Sequence, residues 1–411
     1  MRGRKGSRLM RRSSILVLCC AVAAALTLTT VPAGAAAKAT GTPYKIFVDG
    51  ALTGPQFAWG EIVDGVTAKA DAQNAIGGIN GHPIQVVSCD AQLSAAQSAA
   101  CGQKAVSDNV LAAVGSLDLV GAHITPMQNA NISSIGPVSL GTLELNSPNI
   151  WPLTPGTPVV FGLVEHSLAT QAKCKSIVTM SESAASVGRS LRAGVKTMAQ
   201  ADGVKIIDNI VLGSGDPGPA VQAAIATGAQ CIEFIATGAG ILRAMTSLRQ
   251  VNQTIKTGTN YQSIVDVQSQ PGAAQLLNGM YTADPQTAFT KTNPALKSYF
   301  ADMKKYSPNG KLNDFSLSAY GSMQFVIGLM QAGNVTASAL SQAVQTAKVD
   351  LPNLPSKFSF TPTSPIQDLR SWNNIMGMGV MKGTTEKISS TFDGTKDFQK
   401  YWPAVYAAEP A

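Results

Sequence analysis

The feature that most constrains this chain is a repeating alternation of short apolar runs and helical stretches. "YKIFVDGAL" (44–52), "PIQVVSCD" (83–90), "VLAAVGS" (110–116) and "ISSIGPVS" (132–139) each read as a strand. Between them lie "GEIVDGVTAKADAQNA" (60–75), "SAAQSAACGQKAVSD" (94–108, with Ser94 as its N-cap) and "LVGAHITPMQNAN" (119–131), which Pro126 truncates or kinks. Strand, short loop, helix, repeated, means a parallel sheet wrapped by helices. A Pro-rich segment at 146–158 interrupts the rhythm. A second series follows, with strands at 174–180, 204–212, 230–237, 254–261 and 278–284 and helices at 186–201, 218–227 and 240–252. Two helices come late, at 293–306 and 315–333, and the chain from about Lys357 reads as short strands and turns. The expected fold class is therefore α/β, with two doubly wound parallel-sheet units. Late helices that complete the first unit and late strands that complete the second require the chain to cross between them more than once.

One turn in this pattern is unusually specified. In "GGINGHPI" (77–84) Gly77 or Gly78 can take the left-handed conformation that stops a helix. Gly81 after Asn80 permits a tight turn, and Pro83 suits the first residue of a strand. The stretch reads as a structural helix stop and strand start, with His82 on its surface.

The first 35 residues are a separate object. Arg2, Arg4, Lys5, Arg8, Arg11 and Arg12 form a basic head, Ile15–Leu28 is mostly apolar, and Ala33-Gly34-Ala35 offers small residues for cleavage. This is the layout of a secretory signal peptide cleaved near Ala35. The apolar run is shorter than the ~20 residues of a membrane span. Leu16-Val17-Leu18 ahead of Cys19 and Cys20 lacks the small residue that precedes a lipidated cysteine. Without the leader the chain has 25 Lys and Arg against 24 Asp and Glu, so the basic character resides largely in the leader and no nucleic-acid partner is expected. The roughly 376 residues that remain suit two domains. Four cysteines remain too, an even number that in an oxidising compartment suggests disulfides. With no C-x-x-C pair and His82, His123 and His166 scattered, no metal site is expected.

Residues 52–92, "LTGPQFAWGEIVDGVTAKADAQNAIGGINGHPIQVVSCDAQ", closely resemble the start of type I periplasmic solute-binding proteins, the branched-chain amino acid-binding class of ABC transporters. The shared marks are Gly54-Pro55 after the first strand and the Gly-Gly-Ile-Asn-Gly turn before the second. "VSDNVLAAVGS", "ISSIGPVS", "NPALKSYFADMKKY" and "SLSAYGSMQFVIGLMQAG" resemble later family elements, so the likeness covers nearly all of the chain after the leader. It implies a flytrap of two lobes, 44–163 plus 285–356 and 164–284 plus 357–411, joined by a three-segment hinge. It further implies a monomer outside the cytoplasm that binds a small solute without any cofactor and hands it to an ABC permease with its ATPase subunits. Ligands would bind in the cleft at the carboxyl ends of the strands, and closure would trap them.

The resemblance also places cleft positions. In lobe one these are Trp59 after the first strand, Ser116, Leu117, Asp118 and Leu119 after the third, and Ser139, Leu140 and Thr142 after the fourth. In lobe two they are Val187, Thr237, Tyr261 and Gln262, and Phe315 heads a late helix. Several depart from the amino acid binders. Leu119 and Leu140 stand where hydroxyls hold a ligand carboxylate. Val187 replaces a Tyr. Tyr261 and Gln262 stand where an acid pairs with a ligand ammonium, and Asp118 could serve from the other lobe. Trp59, Tyr261 and Phe315 suggest a solute more apolar or aromatic than a branched-chain amino acid. In this reading the disulfides are structural. Cys89 ends the second strand and Cys101 lies on the next helix, while Cys174 and Cys231 begin strands that are neighbours in a 2-1-3 sheet order.

Enzyme signals are poor: there is no G-x-S-x-G, G-x-x-x-x-G-K or H-E-x-x-H. "ATGAG" (236–240) lacks the third glycine of a dinucleotide loop and "GMGVMKG" (377–383) has the wrong spacing. A hydrolase would have to use His123 or His166, and neither lies in a motif. A secreted flytrap sensor that serves a receptor instead of a transporter shares every feature above.

Overall fold

The computed structural model describes residues 39–54, 58–140, 142–182, 185–286, 289, 291–349, 351, 358–359, 366–371 and 374–409, without the side chains of 142, 185–187, 349, 358 and 359. The leader with Cys19 and Cys20, and Pro55 of the Gly-Pro pair, lie outside the described residues.

The first sheet has five parallel strands: β1 (Tyr44–Gly50), β2 (Ile84–Asp90), β3 (Ala112–Val114), β4 (Ser133–Ile135) and β5 (Ile150–Trp151), in the order β2-β1-β3-β4-β5. Its early helices are α1 (Glu61–Asn74), α2 (Ala95–Ser107), α3 (Ile124–Asn129) and α4 (Thr142–Asn146). Ser94 caps α2 by accepting the Gln97 amide, and Pro126 falls in the first turn of the short α3. The chain then enters the second lobe through α5 (Thr157–Thr170). There follow β6 (Ser176–Ser181), α6 (Ala185–Asp202), β7 (Lys205–Val211), α7 (Gly218–Ala226), β8 (Cys231–Ile235), α8 (Gly238–Val251), β9 (Lys256–Asn260), α9 (Ala273–Leu277) and β10 (Tyr281–Asp284).

It returns to the first lobe for α10 (Lys297–Tyr306), α11 (Asp314–Gln331) and α12 (Ala337–Thr346), where Met323, Val326, Met330, Leu340 and Val344 share a core with β1 and α1. A small antiparallel pair, β11 (Lys348–Val349) and β12 (Phe358–Ser359), follows. The last crossing supplies β13 (Ile375–Lys382), β14 (Thr385–Asp393) and α13 (Thr395–Ala408). The second sheet runs β14-β13-β10-β9-β8-β6-β7, parallel except for the β13–β14 hairpin, which adds antiparallel to β10. Two α/β lobes with three chain crossings follow from the late helices and strands joining opposite sheets.

Two helices differ from the sequence expectation. α5 spans the expected lobe boundary at 163 and packs with the second lobe, where Val159, Val160, Leu163, Val164 and Leu168 join Ile177, Met198 and Trp402 in one core. Buried on every side from Thr157 to Ala169, with Glu165, His166 and Ser167 included, it has no solvent face and so shows no amphipathic period. The chain end is not only strands and turns. α13 forms despite the internal Pro403 because Phe398 and Trp402, one turn apart, are wholly buried and Tyr406 stacks on Trp402 at 4.9 Å.

Close approaches set both helix layers. α1 meets α11 at Gly65, where a Cβ would lie 2.2 Å from the Ser316 carbonyl oxygen. α5 crosses α6 at Gly162 and Gly194, and a Cβ on Gly194 would lie 1.9 Å from the Pro158 carbonyl oxygen. The turn after α1 is equally specific. The Gly78 amide returns to the Gln73 carbonyl at 3.1 Å with φ of 68°. Ile79 and His82 then exchange backbone hydrogen bonds around Asn80 (φ 52°) and Gly81 (φ 81°). Positive φ at both central residues is the type I′ geometry that Asn-Gly favours. Asn74 clamps the start of β2, accepting from the Ile84 amide at 2.7 Å and donating to its carbonyl at 2.9 Å.

Disulfides join Cys89 to Cys101 (Cα–Cα 5.6 Å) and Cys174 to Cys231 (Cα–Cα 6.2 Å). On chain entropy alone, C89A/C101A costs about 3 kcal/mol and C174A/C231A, which opens the longer loop, about 4 kcal/mol. Urea unfolding of both double variants checks that order. The same assay should show G194A losing at least about 2 kcal/mol through overpacking. G213A, where a Cβ meets nothing within 4 Å, should change stability by less than about 0.5 kcal/mol.

Candidate functional site

A cavity of about 340 Å³ opens where the carboxyl ends of both sheets face each other. Lobe one contributes Trp59, Leu117, Leu119, Val138, Leu140 and Phe315, and lobe two contributes Phe161, Leu191, Ile235 and Val267 as its apolar wall. The polar lining comprises Thr157, Glu182, Thr237, Asn260, Gln262, Ser263, Asp266 and Gln270. Trp59 and Phe315 lie 5.9 Å apart, tilted. The lobes touch beside the cavity: the Ser190 hydroxyl donates to the Leu140 carbonyl at 3.1 Å, and the Asn313 amide donates to Asp266 at 3.3 Å and Glu61 at 2.9 Å.

Of the positions singled out in the sequence, Trp59, Leu117, Leu119, Leu140, Thr237, Gln262 and Phe315 line this cavity. The side chains of Thr142 and Val187 lie outside what the structure describes. Ser116, Asp118, Ser139 and Tyr261 are buried but not part of the lining. The reason for the first two is strand alternation. Past β3 the chain stays extended enough for Leu117 to bridge Gly50, so Leu117 and Leu119 face the cleft and Ser116 and Asp118 face beneath it. Ser139 likewise falls between two lining residues, Val138 and Leu140, and its carbonyl accepts the Thr157 amide at 3.0 Å.

Asp118 is therefore not available to a ligand ammonium. Its carboxylate accepts from His123 Nδ1 (2.8 Å), the Val120 amide (2.9 Å) and Ser98. Asp49, at the end of β1, lies 3.4 Å from the same imidazole nitrogen and accepts from Ser116 at 2.6 Å. Burial opposes a charge on His123, but the Asp49 and Asp118 carboxylates together outweigh it and raise its pKa to about 9. Burial raises the Asp49 pKa, whereas at Asp118 the burial cost is overcome by the His123 hydrogen bond and charge, and its pKa falls. These three residues are also the set, among those described, that could hold a metal, with ligand atoms within 4.8 Å of one another. Ser98 and the Val120 amide also donate to Asp118, and Ser116 donates to Asp49, so the cluster acts as an internal ion pair that ties β1 and β3 to α2 and α3. The same geometry disqualifies Ser98 as a nucleophile, since its hydroxyl is spent on Asp118 and fully buried. His166 lies outside the cavity lining, bonded to Asp202 at 2.7 Å and stacked on Phe392 at 3.8 Å.

Tyr261 packs in the core of lobe two, near the buried acids Asp284, Asp314 and Glu386, where burial and those charges push its pKa up. Burial raises Asp284 and Asp314 well above the usual carboxyl range and lifts Glu386 to about 7. The cluster sits at the second crossing, with Gln286 donating to the Asp314 carbonyl at 2.8 Å.

The sequence reading missed Glu182, directly after β6. Its two oxygens accept the Thr237 amide at 2.9 Å and the Thr237 hydroxyl at 3.0 Å, at the amino end of α8. The signal was there in "SES": an acid directly following a strand's carboxyl end, but after the first strand of lobe two and not the fourth.

The sequence pattern of the periplasmic binding protein family matches residues 43–371. The chain belongs to that family. No curated protein matches it by sequence. Among solved structures it is similar to a fatty acid ABC transporter substrate-binding protein from Thermomonospora curvata, at 18% identity and a TM-score of 0.73, covering 88% of this chain and 96% of that one. It is also similar to an R. palustris solute-binding protein in complex with 4-hydroxybenzoate, at 19% identity and a TM-score of 0.71, covering 87% and 99%. A third is the branched-chain amino acid transporter substrate-binding protein of Streptococcus pneumoniae in complex with isoleucine, at 16% identity and a TM-score of 0.69, covering 86% and 100%. At such identities the likeness is one of fold.

Removing the cation from the buried ion pair should be costly. His123→Ala leaves two carboxylates uncompensated and is expected to destabilise by about 3–5 kcal/mol near pH 6. A His whose folded pKa is raised stabilises fully below its unfolded value near 6.5, and this contribution is lost as pH rises through about 9. Urea unfolding of wild type and variant at pH 6 and pH 9 should therefore show the difference shrinking.

Proposed function

We propose that the protein is the extracytoplasmic solute-binding component of an ABC importer, which captures a small solute between its lobes and presents it to a membrane permease. The observation that carries this reading is the cavity itself, walled by residues of both lobes at the carboxyl ends of both sheets. That is where open α/β sheets bind ligands. The three crossings supply the hinge, with lobe one ending where α5 begins. The solved relatives are transporter components, two of them holding isoleucine or 4-hydroxybenzoate, which supports a small-solute role. The leader-like residues 1–35 support export with cleavage near Ala35, and among the described residues no helix is long and apolar enough to cross a membrane. In this reading the protein acts as a monomer and catalyses nothing.

The solute is not a standard branched-chain amino acid. Leu117, Leu119 and Leu140 line the lobe-one wall, where the amino acid binders hold a carboxylate with hydroxyls, and Asp118 is committed to His123. A thermal-shift screen of the secreted chain against a broad solute panel tests the proposal. A ligand at a hundred times its Kd should add about 2.7 kcal/mol of stability. Leucine and isoleucine should give no shift, and Trp59→Ala should weaken the best ligand at least about tenfold, read by calorimetry.

A further inference from the structure

We propose that the solute is an apolar or aromatic organic cation, held by Glu182, and that carboxylate solutes are excluded. This rests on the solute-binding reading above and specifies the chemistry of that site.

The charges around the cavity are one-sided. Among the described residues its lining includes two carboxylates, Glu182 and Asp266, and no Lys, Arg or His. The two arginines on the first turns of α6 are committed to the chain's far end. Arg189 donates to the Tyr406 carbonyl at 2.9 Å and lies 4.6 Å over its ring. Arg192 Nε donates to Glu409 at 2.7 Å, while its Nη1 lies behind the lining residue Gly188, where a Cβ would come within 2.8 Å of it.

Glu182 also occupies the place a ligand anion would seek. An exposed helix amino end attracts carboxylates through its free amides and dipole. Here the amino end of α8 is covered from within the chain, because Glu182 takes the Thr237 amide and hydroxyl and lies over Gly240, where a Cβ would come within 2.2 Å of its Oε1. A ligand carboxylate would meet this charge with no Lys, Arg or His among the described lining residues to offset it.

A carboxylate offers about four lone-pair positions, and Thr237 uses two of Glu182's. The others belong to a side chain that lines the cavity among apolar residues and the neutral polar groups of Thr157, Asn260, Gln262, Ser263 and Gln270. Closing the cavity around an unpaired carboxylate is costly unless an opposite charge joins it. An ammonium group supplies that charge. The rings of Trp59, Phe161 and Phe315 line the same cavity and add faces on which a cation or an apolar body is favoured. Asp266, exposed at the cavity's edge, gives an entering cation a second attraction.

The test compares head groups on one body. Phenethylamine, phenethyl alcohol and hydrocinnamate are titrated into the full secreted chain by calorimetry, with thermal shift in parallel. The amine should bind at least about tenfold more tightly than either of the others, as expected for a charge-assisted contact. Glu182→Gln should abolish that preference, and Asp266→Asn should reduce it, with ligand-free melting curves showing that both variants fold. Equal or tighter binding of hydrocinnamate to the native chain overturns the head-group assignment and leaves solute binding standing. So does a preference that survives in a folded Glu182→Gln. If no member of the broad panel binds the native chain, solute binding itself fails, and this assignment fails with it.

Discussion

A parallel sheet cannot leave either face in water, and this requirement organises the molecule. The central strands of both large sheets are buried, while the edge strands β7 and β14 are partly exposed. The first lobe cannot meet the requirement with its early helices alone. It recruits α10–α12 from beyond the second lobe, and α11 fits against α1 only because Gly65 lets the backbones approach. The second lobe inserts α5 as a buried helix and closes with α13 from the far terminus. Three crossings follow from covering two sheets with one chain in this order. They also leave the two sets of carboxyl strand ends facing each other, so the cavity is a consequence of coverage.

The extended backbone past β3 then sorts the chemistry. Leu117 and Leu119 face the cleft, so Ser116 and Asp118 must face below it, where Asp49, Ser98 and His123 receive them. The lobe-one wall is apolar for the same reason that the layer beneath it is ionic. His123 stays charged because two carboxylates outweigh its desolvation. A buried ion pair of this kind fixes geometry more than it adds stability: it joins the ends of β1 and β3, and hence the floor of the cleft, to α2 and α3.

Most of the fold was legible because it rests on local signals. Period and turn chemistry place β1, β2, α1 and α2 to within a residue or two, and Asn80-Gly81 states its own turn type. What escaped was set by tertiary burial. α5 is buried all round, its Glu165 and His166 included, and shows no amphipathic period. α13 carries a proline that argues against a helix, and only the burial of Phe398 and Trp402 overrides it. In the site, loop positions were legible from strand ends, but the direction of each side chain was not. Ser116, Asp118 and Ser139 fall on the wrong parity, and Tyr261 turns into the core of lobe two. A one-residue step reverses the face, and linear spacing does not say where the extended backbone persists.

Glu182 places a charge at the carboxyl end of the first strand of lobe two. An acid after the fourth strand of lobe two would sit beside Asn260 and Gln262; here it stands after the first strand, across the cavity floor, and its oxygens are oriented by Thr237. The amino end of α8 holds the carboxylate in place through the two hydrogen bonds from Thr237. The orientation costs the site its capacity to bind an anion at that helix. One side chain thus both supplies a negative point in the cavity lining and covers the positive end of a helix, while among the described lining residues lobe one presents leucines and aromatic rings and no cation.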